Sequence, residues 1–297
     1  MPAVPGAQAA SLVDVETPRY LAAVRAPTGL VPPPGSRPVV VAGVDDGVRL
    51  THRALAASIW RNSREVPGNR VDDDGNGFVD DVQGWDVSDG DPGVGPPEDR
   101  LDEYGHGTHL AGIVARIARE AYADRAPDLV RILPVKALAD DAERAYVKDG
   151  YEGIRYAVAA GADVVLCAWS VGHISPREEA VLREARERGV LVVASAGNFA
   201  GAQEQFPAAH ESVLAVAALD GDGRKAERSN HGAFVDLAAP GVDVPSAGAR
   251  SDTDTGRKDG TSPAAAMVAA AAALVRVQHP SYATEQVTAC LKSSAEA

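Results

Sequence analysis

Four polar side chains, far apart in the chain, each stand where an apolar stretch begins or ends, and together they would supply acyl-transfer chemistry. Ser262, in Asp259-Gly260-Thr261-Ser262-Pro263-Ala264-Ala265-Ala266, opens a long Ala/Val run. A hydroxyl at a helix start after a glycine turn lies beside unpaired backbone N–H groups and the positive end of the dipole. Negative charge developing on an attacked carbonyl oxygen can be held there. The same placement describes a plain N-cap serine, so the residues around it in the fold decide its role. His106, in Tyr104-Gly105-His106-Gly107-Thr108-His109-Leu110-Ala111-Gly112, heads a second apolar helix. Asp45 follows the apolar strand Pro38 to Val44, and Asn198 ends the turn Ser195-Ala196-Gly197-Asn198 after the strand Val190 to Ala194.

A hydroxyl is a poor nucleophile at its own pKa, so an imidazole must take its proton and return it to the leaving group. A carboxylate then fixes the imidazole tautomer and stabilises the imidazolium. A side-chain amide next to the nucleophile donates to the oxyanion. In the order Asp45, His106, Asn198, Ser262, the chain has one candidate for each role.

These motifs resemble those of the subtilases, the subtilisin-like serine peptidases (family S8), and the resemblance extends from about Pro38 to Ala297. Trp169-Ser170-Val171-Gly172 is similar to the family's substrate-binding strand segment, and Asn230 to Gly241 to the strand and turn before its serine. The resemblance implies Ser262 as nucleophile, His106 as base, Asp45 as its partner, and Asn198 with the Ser262 N–H as oxyanion hole. It further implies Ser170, Val171 and Gly172 as an edge for an extended polypeptide substrate, with a second edge near Arg144-Ala145-Tyr146. Ala196 and Gly197 would line the pocket for the side chain preceding the scissile bond. The implied activity is that of a serine endopeptidase working through an acyl-enzyme. Transpeptidation or macrocyclisation on the same site, and a binding or regulatory module without turnover, are the alternatives.

Three positions depart from the family pattern, one of them Ala266, where the family usually has a proline. Pro263 replaces the usual apolar residue after the serine and removes an N–H. That group serves the oxyanion hole of α/β-hydrolases, so the proline argues against an esterase or lipase and leaves the subtilase reading intact. Asp46 stands where the family has serine or threonine and puts a second carboxylate beside Asp45; it is expected to point outward.

Apolar strands alternate with helices, the pattern of an α/β, subtilisin-like doubly wound, mostly parallel β-sheet with helices on both faces. Strands are expected at 39–44, 129–135, 163–168, 190–194 and 213–217. Helices are expected at 53–60, 106–119, 150–160, 176–188, 262–278 and 284–293. Residues 1–37 read as a Pro-rich surface extension and 38–297 as one peptidase domain. With 45% apolar residues in 297, the chain can bury a large core without a second domain. Forty-two acidic against 29 basic residues, a net charge of −13, argue against nucleic acid or an anionic membrane as partner. No signal-like start is seen, which suits the cytoplasm; secretion with the signal absent from this sequence is the alternative. The only apolar run near the ~20 residues of a membrane span carries Ser262 and is expected in the core.

A second constellation is Val71-Asp72-Asp73-Asp74-Gly75-Asn76-Gly77-Phe78-Val79-Asp80-Asp81. Asp72, Asp74, Asn76, the Phe78 carbonyl and Asp80 have the alternating oxygen spacing of a calcium loop, with Gly77 at its sharp turn. Gln83 stands where a bidentate glutamate belongs, a place that Asp81 or a distant carboxylate could take, and a solvated acidic loop is the alternative. A zinc pair of His106 and His109 is disfavoured because no His-Glu-x-x-His pattern is present. Trp85 is expected in the core, His109 in a structural role, and Cys167 and Cys290 as buried thiols.

Overall fold

The structure, a computed structural model, describes residues 18–143 and 146–296. A short helix α1 (Arg19–Ala23) precedes β1 (Val39–Asp45) and the two-residue β2 (Trp85–Asp86). Then come α2 (His106–Tyr122), α3 (Ala126–Leu129), β3 (Val130–Lys136), α4 (Gly150–Ala159) and β4 (Val164–Cys167). They are followed by α5 (Pro176–Glu187), β5 (Leu191–Ser195), β6 (Val213–Leu219) and β7 (Leu237–Pro240). The hairpin β8 (Val244–Ala247) and β9 (Thr255–Lys258) leads into α6 (Thr261–Gln278), and α7 (Thr284–Ser294) follows.

Seven strands form one sheet in the order β2-β3-β1-β4-β5-β6-β7, and every pairing in it is parallel. Parallel strands need helical crossovers that cover both faces, so their residues are apolar on both sides. Strand β1 shows this directly. Val39 and Val41 join the core that holds α2 and α6, whereas Val40, Ala42 and Val44 join the core that holds α4 and α5. Helix α6 is long and apolar enough to cross a membrane, yet 78% of it is buried inside the protein. Its small alanines let it lie close to the sheet, as a central core helix must.

The expected strands and five of the six expected helices lie within one to three residues of those observed. The exception is 53–60, which forms turns rather than a helix. There the backbone of Ser58 and Trp60 is captured by Ile132 of β3, with Trp60 N–H donating to Ile132 O and Ile132 N–H to Ser58 O, both at 2.8 Å. That pairing, with Leu55 and Ile59 buried beside it, outweighs a two-turn helix. Residues 18–37 are more than a surface extension, since Tyr20 and Leu21 are buried and Leu30 N–H donates to Ala121 O. The first 17 residues of the expected extension lie outside the described residues.

Candidate active site

In a parallel sheet wound this way, side chains that do chemistry gather beyond the carboxyl ends of the strands. Asp45 is the last residue of β1, Ala168 follows β4, Ala196 to Asn198 follow β5, and α2 and α6 begin at the same edge. Asp45 is buried, and both of its oxygens meet His106 Nδ1, at 2.8 and 3.0 Å. Its Oδ1 also accepts the Asp46 N–H at 2.9 Å, which fixes the carboxylate plane. Nδ1 therefore carries the proton and Nε2 is free to act as base. Gly107 makes this approach possible: a Cβ there would stand 2.5 Å from Gly47 O and 3.0 Å from the Asp45 Cβ.

Asp46 does not point outward. It is 4% exposed, and its Oδ2 accepts the N–H groups of Gly105 and His106, each at 2.9 Å, while Oδ1 accepts that of Gly107 at 2.7 Å. The start of α2 has backbone donors with no intrahelical acceptor and no side-chain cap of its own. A carboxylate delivered from β1 satisfies three of them, which outweighs the preference of a charge for water. Asp46 thus clamps the turn that presents His106. Burial and the charge of Asp45 push its pKa up to about 6, against the pull of His106 and the Gly107 and Gly105 N–H groups. Burial opposes a charge on His106, but the field and hydrogen bond of Asp45, reinforced by Asp46, outweigh burial and repulsion by Lys258. The imidazole pKa therefore lies above its usual 6.5.

These charges have a definite sign in a pH profile. An imidazole must be neutral to accept the serine proton, so kcat/KM should fall as pH drops through the raised His106 pKa. Asp46→Asn removes a carboxylate that raises it, and the acid limb should move to lower pH. The plateau should fall about 10-fold, because the amide turns a donor toward one of the three backbone donors. A pH series of kcat/KM on both proteins checks this; an acid limb that stays in place would contradict the electrostatic part.

Ser262 is the second residue of α6, whose N-cap Gly260 has a φ of 132° that only glycine adopts without strain. The serine is 6% exposed. Its Oγ donates to the Ala168 carbonyl at 3.2 Å and not to His106, and rotation about a single side-chain bond moves such a hydroxyl between acceptors. Catalytic hydrogen bonds commonly tighten only when substrate is bound. Asn198 is held by Thr261, the residue before Ser262: its Oδ1 accepts the Thr261 N–H at 2.9 Å and the Thr261 hydroxyl at 3.2 Å. An N–H can only donate, so Oδ1 is the atom facing Thr261, and among the described residues Nδ2 has no acceptor. Thr261 Oγ1 in turn accepts the Gly197 N–H at 3.2 Å, and Asn230, fully buried, donates its N–H to Gly197 O and accepts that of Phe199.

The proposed substrate edge is half committed to the protein itself. Val171 exchanges both backbone hydrogen bonds with Phe206, each at 2.8 Å, so Val171 has no backbone groups left for a ligand. Ser170 and Gly172, on either side of it, face the opposite way in an extended segment. Ala196 and Gly197 are buried at the turn below Asn198. Of the second edge, Arg144 and Ala145 lie outside the described residues, and Tyr146 is exposed.

Thr261, Asp46 and Asn230 are the positioning residues that the sequence reading missed. Thr261 and Asn230 were quoted there only as parts of motifs. His109 is structural as expected: it is buried, its Nε2 donates to Val244 O at 3.0 Å, and burial first of all lowers its pKa to about 4. Trp85 is buried, and Cys167 is buried within β4, but Cys290, on α7, is only half-buried.

In the acidic loop, carboxylate oxygens of Asp72, Asp74 and Glu65 lie within 4.8 Å of one another. Oxygens sharing one calcium lie at most about 5 Å apart, so this set fits such a cation. Glu65, outside the loop, offers the third carboxylate, which Gln83 cannot. Asp80 is turned away, its carboxylate accepting the N–H groups of Gly68, Asn69 and Arg70. Asn76 Oδ1 accepts the Phe78 N–H, and the Phe78 ring packs edge-on against Trp85 and Tyr156, tying the loop to the core. A second acidic group, Asp86, Asp89 and Asp140, already surrounds a cation. The fully buried Lys136 ammonium lies 2.6 Å from Asp86 and 3.6 Å from Asp89, and is bonded to Asp140.

Known proteins are similar to this chain in sequence and in architecture. The chain is 35% identical over 251 residues to the thermophilic serine proteinase of Bacillus sp. (strain AK1), a match covering 82% of this chain and 53% of that protein. It is 35% identical over 196 residues to subtilisin BL of Lederbergia lenta, covering 65% of this chain and 71% of the relative. Halolysin of Haloferax mediterranei is 34% identical over 245 residues, of which the match spans 43% of the relative's length. The chain thus spans about half the length of two of these three. The crystal structure of a cold adapted subtilisin-like serine proteinase superposes with a TM-score of 0.67, covering 87% of this chain and 82% of that one, and at 24% identity it speaks for the fold. The sequence model of the subtilase family, peptidase S8, matches residues 36–297, which takes in every residue of the site above, and to that family the chain belongs.

Proposed function

We propose that the protein is a serine endopeptidase that opens peptide bonds through an acyl-enzyme. The observation that carries this is the Asp45–His106 pair at 2.8 Å, set at the same sheet edge as a serine on the first turn of α6. Ser262 attacks the carbonyl, His106 Nε2 takes its proton and then gives it to the leaving amine, and Asp45 holds the imidazole through Nδ1. The Ser262 N–H and Asn198 Nδ2 receive the oxyanion. Pro263 has no N–H to offer, so the serine's own backbone group fills that place. Polypeptide substrate lies extended along Ser170 and Gly172, with the side chain before the scissile bond directed toward Ala196 and Gly197. Digesting a library of unstructured peptides and sequencing the products by mass spectrometry tests this. Internal cleavage is expected, and intact peptides after prolonged incubation would overturn the reading.

We further propose that Asp72, Asp74 and Glu65, with oxygens from Asn76 and Phe78, hold a structural calcium ion. When bound, the ion would offset the mutual repulsion of the loop carboxylates and tie the loop to the core; it takes no part in the chemistry. Chelation with EDTA should lower the Tm by about 5 °C if calcium is present at ~100 times its Kd. Glu65→Gln should abolish most of that difference, and a Tm indifferent to EDTA and calcium would remove the site.

A further inference from the structure

In a chain of net charge −13, Lys258 is a cation without an ion-pair partner among the described residues. It is half-buried at the end of β9, and among the described residues no carboxylate lies within ion-pair distance of it, although its neighbour Arg257 pairs with Asp243 at 2.6 Å. Its position is fixed by the hairpin. Lys258 stands directly across from Val244, and the Val244 carbonyl is the group that His109 Nε2 binds. Ser246, on the same strand as Val244, donates its hydroxyl to His109 O at 2.7 Å, and a Cβ on Gly112 would meet that hydroxyl at 2.3 Å. The hairpin is therefore pressed against the first turns of α2, and Lys258 is the charge it brings to His106. It also lies four residues before Ser262, on the strand that leads into the nucleophile.

The acyl half of a substrate occupies the other flank, along Ser170 and Gly172. His106 must reach the leaving amine, so the residues that follow the scissile bond depart on the His106 side, where Lys258 stands. An ammonium that is partly withdrawn from water and lacks a counter-ion attracts a carboxylate more strongly than a fully solvated one does.

We propose that Lys258 selects substrates carrying an aspartate or glutamate at the first or second position after the scissile bond. This rests on the endopeptidase reading and adds its substrate class. The same charge repels a proton from His106, which is also faced by Asp45 and Asp46, with His109 one turn away. Lys258 thus has a second readout, because removing it should move the acid limb of kcat/KM to higher pH, opposite to Asp46→Asn.

The test uses internally quenched peptides built on a bond the full-length protein cleaves, differing only in Glu, Gln or Lys at the two positions after that bond. Mass spectrometry confirms that the same bond is cut. Wild-type protein should cleave the Glu peptide about 5-fold better in kcat/KM than the Lys peptide, and 1 M salt should erase most of that ratio. Lys258→Met should level the series and Lys258→Glu should invert it. Titration with a fluorophosphonate counts folded active sites, so a poorly folding variant does not distort the ratios. Equal rates on Glu and Lys peptides in the wild type, or an unchanged preference in Lys258→Glu, would overturn the proposal while leaving the endopeptidase standing. Absence of turnover on every peptide would overturn both.

Discussion

Ser262→Ala should lower kcat by on the order of 10⁶-fold and leave the fold and KM nearly intact, a magnitude taken from subtilisin, a member of the same family. The side chain lost is one hydroxyl, whose one hydrogen bond among the described residues is a 3.2 Å contact to the Ala168 carbonyl. Removing it leaves that carbonyl with its other lone pair and creates no cavity of consequence, so stability should change by less than about 1 kcal/mol. The chemistry, by contrast, loses its proposed nucleophile. What survives should be the contribution of the oxyanion donors and of substrate positioning, which acts on a water molecule instead. Stopped assays at high enzyme concentration, with a melting curve beside them, separate the two effects.

Asp45→Asn should be the second largest loss, about 10⁴-fold in kcat near neutral pH. Asp45 presents two oxygens to His106 Nδ1 and receives the Asp46 N–H on one of them. An asparagine keeps one acceptor. The Asp46 N–H and the imidazole then compete for it, and the new amide N–H favours the tautomer whose proton sits on Nε2, where a base needs a lone pair. The carboxylate's charge is also the main force holding the His106 pKa up against burial. Without it the acid limb should shift downward in pH as the plateau collapses. A loss of kcat with an unmoved limb would mean that Asp45 orients His106 without stabilising its charge.

How much of this was legible in the sequence depended on whether a local pattern could carry it. The sheet was legible because strands buried on both faces, such as Val39 to Val44, cannot be anything but apolar runs. Ser262, His106, Asp45 and Asn198 were legible because each punctuates such a run. Asp46 was misread because the pull on it comes from 60 residues away: three backbone donors at the start of α2 bind it in the interior, and only the folded register reveals them. That the distant carboxylate beside Asp72 and Asp74 is Glu65 could not be read for the same reason, since spacing within the acidic loop does not say which outside residue reaches it. Residues 53–60 have the composition of a helix but lie against an open stretch of β3, and that pairing decides their form. Thr261 looked like a bystander in the serine motif, yet its N–H and hydroxyl fix which end of the Asn198 amide faces Thr261 and which faces away.

The most direct measurement is to treat the protein with a fluorophosphonate and locate the adduct by peptide mass spectrometry. A single phosphonyl group on Ser262, absent from Ser262→Ala and strongly slowed in Asp45→Asn, is the expected result. An unlabelled wild-type protein, or equal labelling of Ser262→Ala, would contradict the assignment of Ser262 as nucleophile.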